Sequence, residues 1–222
     1  MTRTALYDPP LMPHLLVEGL NRYNEEPCLL LGDKVASYRE VRESTSQMVQ
    51  ALQAKGLGKG SRIAVISANR PEVLSNIAAM QLAGCVGTPL HPLGSLDDHA
   101  YILEAAEIDA LVYDASLFDA HAAKLKEKVP GLKHLLGFGP TETGEDYLAL
   151  AASFEPQTLV APDVLPDDVS SVNFTGGTTG RPKGVMSTHR VTAYMTQIQM
   201  AEWEFPAEVR MLMATPLSHA AA

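Results

Sequence analysis

Residues 173–185 read NFTGGTTGRPKGV and set four glycines, three threonines, one arginine and one lysine between short apolar runs. Glycines at 176, 177, 180 and 184 permit positive φ and leave no Cβ between the backbone amides and a ligand. Consecutive amides in such a turn converge as a nest for an anion, the hydroxyls of Thr175, Thr178 and Thr179 add donors, and Lys183 brings a mobile positive charge. Pro182 fixes the chain direction just before that lysine. The chemistry these types suit is the holding of phosphate oxygens. A glycine-rich stretch by itself means only a turn, and GG or TTG alone would carry no more than that. Thirteen residues in this order carry more.

Two familiar phosphate patterns do not fit. The Walker loop needs Gly, four residues, then Gly-Lys-Ser/Thr, and the dinucleotide loop needs G-x-G-x-x-G; neither can be counted out here. The loop is followed by VMSTH, which predicts a strand, so little help from a helix dipole is expected.

The elements that must position this loop follow from periodicity. Residues 28–38 predict a hairpin turning at Gly32-Asp33, and Ser37 with Glu40 forms a capping box for a helix over 38–55 that Gly56 closes. A β-branched strand over 62–67 leads to a helix that Pro71 opens and that runs toward residue 82. Strands at 85–90, 110–113 and 134–138 alternate with helices at 95–106 and 116–129, with Asp97 and Asp98 in a favourable first turn. This alternation predicts an α/β protein whose mostly parallel sheets are flanked by helices. The organisation expected is a first α/β subdomain over 1–138, a proline-marked connecting segment over 139–168 with a short helix at 147–153, and the start of a second α/β subdomain over 169–222. That last unit is expected to hold strands at 169–174, 185–187 and 211–214 and a helix at 190–204.

Composition bounds the partners. With 222 residues and 46% hydrophobic content the chain can bury a sizeable core. The formal charge of −9, from 17 Lys+Arg against 26 Asp+Glu, argues against nucleic acid as a partner, so a polyanion needs a local positive site. The run KLKEKVPGLK is the solvated face of a helix, and His91, His99, His121 and His134 lack metal-ligand spacing. Trp203 is expected to be a packing residue. Cys28 and Cys85 lie in apolar stretches and suit a reducing compartment, which with no secretory leader visible points to the cytoplasm. The stretch 77–90 is broken by Gly84, Gly87 and Pro89, so no transmembrane segment is expected.

TGGTTGRPKGV resembles the phosphate-binding signature of the adenylate-forming superfamily, which includes acyl-CoA synthetases, aryl-CoA ligases, luciferases and peptide-synthetase adenylation domains. Further segments are similar in the same order: ASYREV to the early Thr-Tyr-x-Glu-Leu segment, QLAGCVGTPLHPLGSLDDHAYILEAAEIDALVYD to the family's AG-x-x-x-x-P-x-x-P stretch, and ATPLSH to the Pro-Leu-x-His segment beside the acyl pocket. The resemblance spans about residues 15–219 and implies an incomplete N-terminal domain of the acetyl-CoA synthetase-like fold.

It also implies a reaction: a carboxylate, fatty or otherwise acyl, attacks the α-phosphorus of MgATP to give an acyl-adenylate and pyrophosphate, and the thiol of coenzyme A or of a carrier protein then takes the acyl group. Thr175, Gly176, Gly177, Thr178, Thr179, Gly180 and Lys183 would line the β- and γ-phosphates, with Thr175 near Mg²⁺. His219 would stand at the acyl-pocket entrance as the catalytic residue that positions the carboxylate; only its PLSH context raises it above an ordinary surface histidine. Gly176 stands where many members carry serine, a glycine familiar among long-chain acyl-CoA synthetases, and Ser218 replaces a common aromatic. The family's adenine-binding segment, ribose aspartate, hinge and C-terminal domain, and with them the CoA site, are absent from this sequence. A fragment without full turnover is therefore expected, with an apolar patch near 211–216 inviting self-association; the alternatives are a non-catalytic remnant serving as a binding module and an acyl-AMP ligase that serves a carrier protein.

Overall fold

The computed structural model describes residues 10–175, 181–205 and 209–218. Helix α1 (Met12–Arg22) opens the chain and was not expected, because Pro13 and an N-cap Leu11 without a side-chain cap give a weak start signal. Strands β1 (Pro27–Leu31) and β2 (Lys34–Ser37) form the expected hairpin, turning through Gly32 at φ +57°. Helix α2 (Tyr38–Ala54) starts on the capping box: Glu40 N donates to Ser37 Oγ at 3.2 Å and Ser37 N donates back to Glu40 Oε2 at 2.8 Å.

The alternation then proceeds as β3 (Arg62–Ile66), α3 (Pro71–Leu82), β4 (Val86–Pro89), α4 (Leu96–Ala105), β5 (Ala110–Tyr113), α5 (Ala115–Lys128) and β6 (His134–Gly137). A two-residue edge strand β7 (Glu145–Asp146), too short to leave a periodic signal, precedes α6 (Tyr147–Ala152), β8 (Val169–Phe174), β9 (Gly184–Thr188) and α7 (His189–Glu202). Among the described residues, seven strands form one sheet in the order β7-β6-β5-β3-β4-β8-β9. Every pairing is parallel except β8–β9.

Alternate residues of the central strands feed two cores. Ile63, Val65 and Val112 pack with Met48, Leu52, Val73, Met80 and Tyr147 under α2, α3 and α6. Ala64, Ile66, Leu111 and Tyr113 pack with Leu103, Leu125 and Leu132 under α4 and α5. Both faces of the central strands are thus covered, as continuous apolar strands require, whereas Val185 and Met186 of edge strand β9 are exposed.

The proline-marked stretch after α6 is stapled to α2: Gln47 and Gln50 Nε2 donate to the carbonyls of Phe154 and Glu155 at 2.9 and 2.8 Å, and Gln157 N donates to Ser46 Oγ at 2.7 Å. It delivers the chain to β8, which pairs with β4 and so extends the sheet of the preceding elements. Two expectations fail beyond α7. Residues 211–214 form no strand; instead Asn69 Nδ2 donates to the carbonyls of Met213 and Thr215 at 3.4 and 2.8 Å, a side chain standing where a neighbouring strand would have to be. Trp203 is not packed into a core but 57% exposed, edge-on to Phe205 at 5.6 Å between ring centroids. Tyr194, Met195, Met200, Met211 and Leu212 are exposed too, Leu212 by 90%.

Candidate nucleotide and acyl site

The phosphate-type loop closes the β8–β9 hairpin. Phe174 pairs with Gly184, and one step further Thr175 N donates to the carbonyl of Lys183 at 3.0 Å while Lys183 N donates to Thr175 Oγ1 at 3.4 Å. Thr175 and Lys183 are therefore brought side by side, both exposed. A strand, not a helix, leaves the loop, as the VMSTH text predicts. The far side of the loop is held as well: the Arg181 guanidinium lies over the Tyr101 ring of α4, 5.3 Å from its centroid. Gly176, Gly177, Thr178, Thr179, Gly180 and His219 lie outside the described residues.

A cavity of about 170 Å³ opens beside this hairpin. Its walls come from the carboxyl ends of β3 (Val65) and β4 (Thr88, Pro89), from α3 (Ile77, Met80) and from Ser171 and Asn173 of β8, with Leu217 and Ser218 across the mouth. Chain order puts a switch point there: from β3 the sheet grows through α3 to β4 on one side and, after α4, to β5 on the other. Crevices outside the carboxyl ends of strands at such a point are where open α/β sheets bind ligands. The lining is largely apolar, yet Thr88 Oγ1, Gln81 Oε1 and Ser218 Oγ are buried at its rim with no partner among the described residues. Unpaired buried polar atoms are costly and mark a place for water or ligand. A wider cleft of about 540 Å³ under Arg181 is lined by Asp97, Asp98 and Glu104, carboxylates that disfavour a phosphate.

Comparison with known proteins fits this geometry. A family model described as AMP-binding enzyme matches residues 16–222. The chain belongs to the AMP-binding enzyme family. A medium/long-chain-fatty-acid–CoA ligase, FadD8 of Mycobacterium tuberculosis, is 46% identical over 215 residues, covering 94% of this chain and 38% of its own length. Among solved structures, ATP-bound MatB from Rhodopseudomonas palustris is 28% identical with a TM-score of 0.74, over 92% of this chain and 40% of MatB. The amide bond synthetase McbA from Marinactinospora thermotolerans is 27% identical with a TM-score of 0.81, over 92% and 40%. The chain thus spans about two-fifths of the length of these relatives, and its fold is a partial N-terminal domain of this family of acid–thiol ligases.

Within the AMP-binding enzyme frame, some features were not legible beforehand. His99 and His121, without metal spacing in the sequence, meet across α4 and α5 with Nδ1 and Nε2 2.9 Å apart, and His99 Nε2 lies 3.0 Å from the His91 carbonyl. If His99 donates through Nε2 to that carbonyl, its Nδ1 accepts the proton of His121. Burial holds both imidazoles below the ordinary histidine range. Among the described residues no group of three or more His, Cys, Asp or Glu is placed to hold a metal ion. Thr175 Oγ1 is a hard oxygen donor of the kind that suits Mg²⁺ arriving on a nucleotide. Cys28 and Cys85 are free thiols, and burial pushes Cys85 up to about 12. No described helix is long and apolar enough to cross a membrane.

Proposed function

We propose that this chain carries the triphosphate-gripping and acid-admitting part of an ATP-dependent acyl-CoA synthetase. One observation supports the reading above the others. Strand β8 offers Ser171 and Asn173 to an apolar cavity and, two residues on, Thr175 to the loop, so an acid in the cavity and phosphates on the loop would lie along one strand. At about 3.3 Å per residue, that spacing suits a carboxylate facing an α-phosphate.

In this reading a carboxylate oxygen forms a bond to the α-phosphorus as the bond to the bridging oxygen of pyrophosphate breaks. Amides of the loop, the hydroxyls of Thr175, Thr178 and Thr179 and the ammonium of Lys183 take up the charge that develops on the leaving pyrophosphate. Thr175 serves Mg²⁺, and His219, which follows the cavity-lining Ser218, orients the carboxylate. The acyl-adenylate then passes its acyl group to a thiol with loss of AMP. Coenzyme A is the acceptor proposed, since the relative 46% identical is named a CoA ligase, and medium- to long-chain fatty acids are the acids proposed. This 222-residue chain by itself is proposed to bind nucleotide without full turnover.

Carboxylate-dependent exchange of labelled pyrophosphate into ATP, measured on the protein at its full cellular length with saturated acids of graded length, tests the reading. Exchange that rises with chain length supports it; none with any acid overturns it.

A further inference from the structure

The segment that walls the cavity mouth has no regular structure of its own. Residues 209–218 form neither helix nor strand, and Met211 and Leu212 face away from the fold. Such a segment keeps a defined position only where tertiary contacts fix it. Three of its backbone groups are tied to one side chain, that of Asn69. Asn69 Nδ2 donates to Thr215 O at 2.8 Å and more weakly to Met213 O at 3.4 Å, while Leu217 N donates to Asn69 Oδ1 at 2.8 Å. Both functions of one amide are thereby used on three backbone groups within five residues. Beyond the amide, Leu217 packs its side chain on the core under α2 and α3.

The carrier of that amide is rigid. Asn69 lies in the short connection between β3 and α3, at the switch point. The next residue, Arg70, donates through Nε and Nη2 to the two carboxylate oxygens of Glu72 at 2.9 and 3.1 Å. Its Nη1 reaches Asp114 Oδ1 at 3.2 Å, and its guanidinium stacks over Phe138 at 5.6 Å. A fixed arm thus grips a segment that cannot hold itself.

We infer that Asn69 is a positioning residue that sets the acid-binding wall formed by Leu217 and Ser218. The inference rests on the acyl-CoA synthetase reading of the cavity. Substrate touches the wall, not Asn69, so losing the amide loosens acid binding and leaves the β8–β9 hairpin, where the phosphates would bind, as it was.

The test uses the protein at its full cellular length with Asn69→Ala and Asn69→Asp. An aspartate retains the acceptor for Leu217 N but sets a carboxylate oxygen against the carbonyls of Met213 and Thr215, so it should raise the acid KM at least as far as alanine does. With hydrogen bonds each contributing modestly to net stability, Asn69→Ala is expected to raise KM for the carboxylic acid about tenfold. KM for ATP in the same pyrophosphate exchange should change by less than about twofold, the pattern of lost binding at one substrate only. Amide hydrogen exchange at Leu217 should speed up in parallel. An active wild type whose Asn69→Ala variant keeps its acid KM, or raises both KM values together, overturns the assignment of Asn69 while leaving the ligase reading intact. A wild type that exchanges with no acid overturns the ligase reading, and the positioning role with it.

Discussion

Thr175 and Lys183, eight residues apart in sequence, face each other across the open end of a hairpin, with Thr175 N donating to the Lys183 carbonyl at 3.0 Å. That bond fixes the two ends of the phosphate-type loop. Because the Thr175 amide is spent on the hairpin, a phosphate arriving there would have to use the hydroxyl of Thr175 and the amides beyond it.

In the proposed reading Lys183 supplies charge and not structure, since its backbone holds the hairpin while its side chain is exposed. Lys183→Ala is therefore expected to retain the melting temperature and to lower pyrophosphate exchange roughly 100-fold, the cost typical of removing one charge-stabilising donor. Lys183→Arg should recover only part, because a planar fork does not reproduce a point charge. Exchange unchanged in Lys183→Ala would remove this residue from the site.

The His99–His121 pair predicts acid sensitivity. Burial is the main reason the His99 pKa is lowered; the His121 charge adds to it, and the His91 carbonyl and Asp98 oppose it. An unfolded histidine titrates near 6.5, so the unfolded state binds more protons just below that pH. Stability is then flat above about pH 6.5 and falls as pH drops through it toward the lower folded value. Protonating His99 would also set two N–H groups against each other at the 2.9 Å contact. Melting temperatures from pH 8 to 5 should decline in that window. His99→Gln should flatten the decline without abolishing it, because burial also lowers His121, His134 and His189. An unaltered slope in that variant would count against the pair.

Gly144 sits in the turn before β7, where an added Cβ would lie 2.5 Å from the Leu135 carbonyl oxygen and 2.8 Å from Leu135 Cβ. Backbone cannot step aside as a flexible side chain can. Gly144→Ala should destabilise the protein by about 1–3 kcal/mol through overpacking, read by urea denaturation. Since the turn lies at the opposite edge of the sheet from β8 and β9, nucleotide affinity should be unaffected. A variant as stable as wild type would show that the turn can open.

Much of the architecture was legible in the residues. The capping box at Ser37 and Glu40, Pro71 at a helix start and the β-branched run of β3 are local signals, and local signals survive without knowledge of neighbours. The hairpin that carries the phosphate-type loop was legible for the same reason, because an apolar run on each side of a glycine-rich stretch is a local signal for two strands and a turn. Strand 211–214 was wrongly expected, since an apolar run says nothing about whether a partner strand is available, and here the Met213 carbonyl accepts from the Asn69 side chain. Trp203, expected to be a packing residue, is 57% exposed with an edge contact to Phe205, because an aromatic on a helix does not disclose what covers it.

The sequence by itself determined the strand–helix alternation from β2 to β6 and the family, each encoded in short-range residue patterns. Tertiary structure alone decided that β8 lies against β4, that the cavity opens where the sheet changes direction, and that one asparagine holds a wall assembled nearly 150 residues downstream. Those facts depend on contacts between distant segments, and such contacts are set by the packing of whole faces, which no local spacing records.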